Sequence, residues 1–365
     1  MTILHIIPSM HMGGAEKFAV DLANELAIDN SNDIYLCSIG KIDENDILPK
    51  QVSPKVHLIS LNKTTGYSIR IVFKIYSLIK EIHPDLVHTH LRALMYSAFS
   101  LVLNKIPTIH TIHNLAQNET TPNIRKIYKI LFTFFNIIPV SISDVVLEST
   151  EKCYGDRHSE LVYNGVKALS ITNEYSNVKN EIEKYKNKED TLVFLSVGRI
   201  SNQKNQAMLI DAMSNLANDH VLLIIGALDS EIEYAQQCLD LAENSENIYF
   251  LGLKSNIGDY MTCSDALCLS SLYEGLPLVV LEAMSMGVPT LSTPAGGVPD
   301  VVESTINGYI SKDFTAQSYE SILKQYAMHP IDNSEVIKEL YEKNYSMAIC
   351  KQRYYALYQK ALHVT

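Results

Sequence analysis

The chain has 365 residues, about twice the usual size of one domain, with 47% apolar and 19% charged residues. That composition supplies a packed core and excludes a disordered chain. Net charge is −11 and lopsided: residues 1–172 hold 16 basic and 16 acidic side chains, residues 173–365 hold 14 and 25. An acidic second half speaks against a nucleic-acid partner, whose phosphates demand a basic surface, while the more basic first half can face an anionic one.

Residues 2–8 (TILHIIP) carry no basic leader and read as a first buried strand, which predicts a cytoplasmic protein. Gly13 and Gly14 follow in a loop. Residues 15–27 then place Phe18, Leu22 and Leu26 four apart, the spacing of a helix lying on a core. Further strands are expected at 34–38, 57–61, 86–90, 108–113, 139–143 and 160–163, with helical patterns between them, 68–80 and 124–135 included. The apolar run 127–140 is interrupted by Lys129, Thr133, Asn136 and Pro139 and is too short to span a bilayer. Alternation of strand and helix over this length specifies a parallel sheet covered on both faces. Residues 167–190, with ten of 24 positions charged, break the rhythm and mark the junction between domains 1–168 and 169–344. Strands resume at 192–197, 221–225, 248–251, 266–269 and 290–292, with a helix at 206–216. A final helix, 345–363, is expected to cross back over the junction. The fold class is α/β, with two Rossmann-like, doubly wound parallel sheets. Six cysteines, at 37, 153, 238, 263, 268 and 350, form no C-x-x-C pair and fit a reduced compartment.

Residues 273–291 read YEGLPLVVLEAMSMGVPTL. Gly275 permits a sharp turn, Pro277 suits the first position of a helix, and Gly287 with Pro289 ends it. The free N–H groups near Leu278 and Val279 carry about half a positive charge and form an anion site, phosphate above all. Glu274 is placed to accept hydrogen bonds from hydroxyl groups beside that anion, and Glu282, one turn on, to hold a second hydroxyl pair. A ligand with phosphate in the middle and hydroxyls at both ends is a sugar nucleotide. The same spacing also fits a capping carboxylate and a surface Glu, and spacing alone does not separate the two. A second cluster, LSVGRISNQKNQ at 195–206, sets Arg199 and Lys204 beyond the carboxyl end of a strand, where open α/β sheets bind ligands. Charge-assisted contacts from such a pair to a diphosphate are about twice as strong as neutral ones.

Taken in order, Gly198-Arg199 with Lys204-Asn205, Phe250-Leu251-Gly252, and Glu274-Gly275 with Glu282-Ala283-Met284, Gly287 and Pro289 resemble the retaining family-4 glycosyltransferases. The first half is similar as well, through Gly13-Gly14-Ala15-Glu16, the strand Pro84-Asp85-Leu86-Val87-His88-Thr89-His90, the pair His113-Asn114, and Tyr163-Asn164-Gly165-Val166. The resemblance implies the GT-B fold, with the two domains facing each other across a cleft. It also implies roles. Arg199 and Lys204 would grip the donor diphosphate. Glu274 would contact sugar hydroxyls, and the backbone of Gly275, Leu276, Pro277, Leu278 and Val279 would hold sugar and phosphate. Glu282 would clasp the ribose and Leu253 would lie against the base. Gly13 and Gly14 would approach the diphosphate, and His113 would reach the transferred sugar; His88 and His90 are read as structural. Gly226-Ala227-Leu228 departs from the glycine pair of many relatives and puts base contacts in that loop in doubt.

By the same resemblance the reaction retains anomeric configuration, with a nucleotide diphosphate sugar, UDP being the family's habit, as donor. No D-x-D triplet occurs in the chain, so no metal or other cofactor is expected. The acceptor is expected to be a glycan or a lipid-linked glycan of bacterial surface polysaccharide. Arg125, Lys126 and Lys129, and likewise Arg70, Lys74 and Lys80, stand beside Phe and Ile on helices that can lie on an anionic membrane. The same helices also fit packing on the sheet with cations turned outward. Competing functions are a nucleotide-sugar 2-epimerase of the same fold and a non-catalytic nucleotide-sugar-binding subunit. A dehydrogenase is disfavoured, because Gly13-Gly14 does not continue as G-x-G-x-x-G.

Overall fold

The computed structural model describes residues 1–156, 159–216, 219–229 and 231–363. The chain divides into two compact units, residues 1–166 with the segment from Asn344 onward, and residues 167–343.

In the first unit the strands are β1 (Thr2–Ile7), β2 (Asp33–Gly40), β3 (Val56–Lys63), β4 (Leu86–His90), β5 (Thr108–Ile112), β6 (Ile137–Ser141) and β7 (Glu160–Leu161). They pair in parallel in the order β3-β2-β1-β4-β5-β6-β7. Helices cover both faces, so the inner strands are buried throughout: Ile3, Leu4, Ile6 and Ile7 of β1 are wholly buried, and so are the polar His5, His88, Thr89, His90, His110 and Thr111 of β1, β4 and β5. The helices are α1 (Gly14–Leu26), α2 (Ile69–Ile82), α3 (Ala93–Asn104), α4 (Ala116–Glu119), α5 (Pro122–Phe134) and α6 (Asp144–Tyr154). Strand β6 starts two residues earlier than expected, so Pro139 lies inside it. It is tolerated there because alternate residues face opposite neighbours. The Thr108 N–H bonds the Asn136 carbonyl and the Val162 N–H bonds that of Ser141, so Pro139 faces β7, whose pairing begins only at Val140.

The second unit has helices α7 (Tyr175–Glu183), α8 (Gln206–Ser214), α9 (Ile232–Ala242), α10 (Ile257–Thr262), α11 (Leu278–Ser285), α12 (Ala316–Met328) and α13 (Ser334–Asn344). Its strands are β8 (Leu192–Val197), β9 (His220–Ile225), β10 (Ile248–Gly252), β11 (Ala266–Leu269), β12 (Thr290–Ser292) and β13 (Gly308–Ile310). They pair in parallel as β10-β9-β8-β11-β12-β13. Sequence reasoning passed over β13, three residues opening on a glycine. Gly308 is required there, since a side chain would strike the Thr290 carbonyl.

The last helix, α14 (Met347–His363), belongs to the first unit. Met347, Cys350, Tyr354, Leu357, Tyr358 and Ala361 form its buried face, at helical spacing. A Cβ on Gly165 would lie 2.5 Å from that of Cys350, so this glycine lets α14 settle against the strand ends. Among the described residues no helix is long and apolar enough to cross a membrane.

Candidate active site

In the second sheet β8 connects outward to β9 while its other neighbour, β11, connects outward to β12. The loops after β8 and β11 therefore part at a topological switch point, the place where open α/β sheets receive ligands. Both loops are held by hydrogen bonds rather than left to wander. Buried Gln206 clamps the first, donating from Nε2 to the Arg199 carbonyl at 2.9 Å and accepting from the Ser201 N–H at 3.3 Å. Asn205 takes a left-handed conformation, φ 54°, which Asn tolerates better than most residues. The second loop is stitched to the first: Ser270 Oγ donates to the Lys204 carbonyl at 2.7 Å, and the Leu272 N–H to that of Gln203 at 2.8 Å. Gly296, φ 53°, presses so closely on this loop that a Cβ would overlap the Glu274 carbonyl oxygen.

This stitching joins two charges that lie 70 positions apart. Lys204 Nζ stands 2.6 Å from Glu274 Oε1, which also accepts from Ser271 Oγ at 2.7 Å. Glu274 is buried, yet among the described residues nothing bonds its Oε2. An ammonium has three donors, so Lys204 retains two. Helix α11 begins four residues later. Pro277 stands at its cap (φ −73°, ψ 115°) and not, as expected, at its first helical position. Among the described residues no acceptor meets the N–H groups of Leu278 and Val279. At the far end the Gly287 N–H bonds the Met284 carbonyl and the Val288 N–H that of Ala283, a Schellman motif with Gly287 at φ 73°.

The remaining donor-side residues are less gathered. Arg199 is exposed, and no ion pair joins it to Glu274 among the described residues. Its charge lies instead near Glu231, whose carboxyl is held below the usual range first by the Asn202 N–H and then by the Asn202 side chain, with Arg199 a smaller influence. Glu282 is half-buried on α11, near Tyr341 of α13. Leu253, just past β10, is 74% exposed. The loop at Gly226-Ala227-Leu228 is tied to both neighbours, the Gly226 N–H to Gly252 and the Ile200 N–H to Ala227, and Leu228 packs on the core. Ser271, Gln206 and Gly296 escaped sequence reasoning, and Asn205 entered it only within the Lys204-Asn205 motif, with no role of its own; the Gly296-Gly297 pair just after β12 was the available signal.

In the first unit Gly13 caps α1 and Gly14 opens it. A Cβ on Gly13 would come within 2.5 Å of Glu16 Oε2, the far end of a flexible side chain that can shift to admit it. His113 follows β5. Its N–H donates to Glu119 Oε2 at 2.9 Å, as does that of Asn114 at 3.3 Å, and its Nε2 meets His90 Nδ1 at 3.0 Å. His90 and His113 belong to a buried group with His5, His88 and His110. Burial pushes His5, His110 and His113 down to about 3, and His88 and His90 well below their usual range, so all five are neutral. Burial likewise raises Glu119 to about 7. His5, His88 and His90 bring ligand atoms within 4.8 Å of one another. However, both His88 nitrogens are spent, at 2.7 Å, on Tyr358 Oη and Thr111 Oγ1. The His88 and His90 rings are also stacked, which points their lone pairs along parallel lines and not at a common centre. That group ties α14 to the sheet.

Two facing facts define the class: paired parallel α/β units, and in the second a switch point with a lysine–carboxylate pair beside a bare helix end. Together they describe a glycosyltransferase of the GT-B type. Comparison with known proteins supplies the family. Residues 12–168 match the family described as Glycosyltransferase Family 4, and residues 177–343 match Glycosyl transferases group 1. The chain belongs to this family of glycosyltransferases. It is 27% identical to an uncharacterized glycosyltransferase of Haemophilus influenzae over 92% of each chain. It is also 27% identical to the UDP-Gal:alpha-D-GlcNAc-diphosphoundecaprenol alpha-1,3-galactosyltransferase of Escherichia coli, over 66% of this chain and 65% of that one. Among solved structures, Anabaena Alr3699/HepE in complex with UDP superposes with a TM-score of 0.85 at 19% identity, over 99% of this chain and 100% of that one. A glycosyltransferase from Rickettsia africae does so with a TM-score of 0.84 at 19% identity, over 99% and 98%.

Proposed function

We propose that the chain moves a sugar from a UDP-sugar to a glycan or lipid-linked glycan acceptor in bacterial surface polysaccharide synthesis, retaining anomeric configuration and using no metal. The observation that carries this reading is the Lys204–Glu274 pair beside the unbonded N–H groups of Leu278 and Val279. The helix end and the two spare ammonium donors suit a diphosphate, and exposed Arg199 adds a second cation. Glu274, gripped at Oε1 by Lys204 and Ser271, offers Oε2 to a sugar hydroxyl. Glu282 is assigned to the ribose, Leu253 to the base, and Gly13, Gly14 and His113 to the diphosphate and the sugar. The acceptor hydroxyl forms a bond to the anomeric carbon on the face the nucleotide leaves. The carbon–oxygen bond to phosphate breaks with its electron pair kept by the diphosphate, and a phosphate oxygen takes the hydroxyl proton. Catalysis is then chiefly stabilisation of the departing charge by preorganised groups.

For the nucleotide, the support is the UDP bound by the Anabaena protein and the UDP-Gal in the name of the E. coli one. For a lipid-linked acceptor it is the diphosphoundecaprenol in that same name, joined by a local feature. Helix α5 carries no acidic residue, and its outer face sets Ile130, 53% exposed, and Phe134, 75% exposed, beside Lys126 and Lys129. Such a face suits a protein working in the cytoplasm on the inner surface of an anionic membrane. The test is a thermal-shift screen of nucleotide sugars, then nuclear magnetic resonance of the product formed from the best donor. Retained configuration with nucleoside diphosphate release is expected. An inverted product, or conversion of the donor with no diphosphate released, contradicts the reading.

A further inference from the structure

From His113 three imidazoles run in series into the core. His113 Nε2 meets His90 Nδ1 at 3.0 Å, and His90 Nε2 meets His5 Nδ1 at 3.3 Å. The chain stops there: His5 Nε2 is buried and has no partner. At its other end, no hydrogen bond reaches His113 Nδ1 from the described residues.

A neutral imidazole has one N–H and one lone pair. Burial keeps His5 and His113 neutral, at about 3, and His90 too. The neighbouring carboxyl, Glu119, is turned to the backbone of His113 and Asn114, and the rings packed on the three imidazoles are His88 and Phe18. Three neutral rings in series can satisfy both links in just two ways. If every N–H points inward, His5 is left with a buried Nε2–H and no acceptor. If every N–H points outward, His5 is left with an unfilled lone pair. Any mixed arrangement opposes two protons or two lone pairs across 3.0 or 3.3 Å. Orphaned buried N–H groups are rarer in folded proteins than unfilled acceptors, and an unmet buried group costs about 1–3 kcal/mol. The outward arrangement is therefore favoured. In it His5 Nδ1–H donates to His90, His90 Nδ1–H donates to His113 Nε2, and the proton of His113 sits on Nδ1.

We propose that His5 and His90 are positioning residues that lock His113 in its Nδ1–H tautomer, so that His113 meets the transferred sugar as a hydrogen-bond donor and never as a base. The second half rests on the proposed contact between His113 and the sugar; the first half does not. The lone pair that a base would need is occupied by His90. The ring is thereby set before any ligand arrives, while Glu119 fixes the backbone of the same residue.

Two-bond proton–nitrogen correlation spectra of the ¹⁵N-labelled full chain, without ligand, test the lock directly, with His113 assigned by its loss in His113→Asn. Protonated Nδ1 and bare Nε2 on His113 are expected; a proton on Nε2 overturns the proposal. In His5→Phe the innermost donor is gone, and the His113 signals should move toward an average of both tautomers; unchanged signals would remove His5 from the chain. Transfer assays test the consequence. His113→Asn puts an amide near the Nδ1 position and His113→Gln near Nε2, so the Asn variant should be faster by about tenfold, the worth of one hydrogen bond. The reverse order overturns the donor role. Equal and undiminished rates would remove the sugar contact while leaving the measured tautomer standing.

Discussion

Replacing Glu119 by Gln tests the buried polar network beneath His113. Glu119 Oε2 accepts two backbone N–H groups, whereas Oε1 is buried without a partner, 3.8 Å from His110 Nε2, which is also unpartnered. Burial raises the carboxyl from 4.5 to about 7, although both N–H groups and Arg92 pull it down. The sign follows: with its folded value raised, Glu119 contributes stability that is full below pH 4.5 and lost as pH rises through about 7. At about 1.4 kcal/mol per unit, the loss is on the order of 3 kcal/mol, most of it between roughly pH 5 and 8. Glutamine keeps the accepting oxygen, cannot ionise, and offers its NH₂ to His110. The buried histidines have the opposite linkage, holding stability above 6.5 and losing it as pH falls toward about 3. They are common to both proteins and cancel in the difference. The chain has no Trp, so urea unfolding is followed by circular dichroism at both pH values. Glu119→Gln should gain about 2–3 kcal/mol over wild type on going from pH 5 to pH 8. An advantage that is the same at both, or larger at pH 5, would refute the assignment of a strained, uncompensated carboxylate.

Other outcomes follow from single contacts. Gly296→Ala forces a Cβ into the Glu274 carbonyl at a left-handed φ. It should cost about 2–4 kcal/mol and abolish donor binding in calorimetry; full retention of both would show that the loop yields freely. Saturating EDTA should leave transfer unchanged if Lys204 and the α11 end neutralise the departing diphosphate in place of a divalent ion, and a strict Mn²⁺ requirement would contradict this. Full-length protein should sediment with anionic vesicles in preference to neutral ones, and Phe134→Ser with Ile130→Ser should weaken it by about tenfold, the worth of two exposed apolar side chains partly buried. Equal partition between the two vesicle types would remove the membrane reading.

What the sequence displayed, and what it hid, divides by range of interaction. Helix α11 was readable because its stop is local: Gly287 supplies the left-handed residue and Pro289 forbids continuation. The strand–helix alternation was readable because strands such as β8 and β9, buried on both faces, are mostly Val, Ile and Leu. The pairing of Lys204 with Glu274 was not, since each was assigned a separate part of the ligand. Only the adjacency of β8 and β11 in the sheet brings the two together. Glu119 gave no signal at all, for a carboxylate in the polar run Gln117-Asn118-Glu119-Thr120 looks solvated, and its burial is imposed by α6 and the strand beneath. His88 was read as structural, and its hydrogen bonds to Tyr358 and Thr111 account for that role. His90 was read the same way, yet it is bonded to His113, a relation that depends on β4 and β5 lying side by side.

In the proposed reaction the loops after β8 and β11 and the tip of α11 together hold a diphosphate. Calorimetric titration of the full chain with UDP and with uridine measures it, in wild type and in Lys204→Ala. UDP should bind at least about a hundredfold more tightly than uridine, and Lys204→Ala should erase about tenfold or more of that gap, as charge-assisted contacts are worth about 1.5–3 kcal/mol each. Equal affinity for UDP and uridine, or a gap indifferent to Lys204, would contradict it.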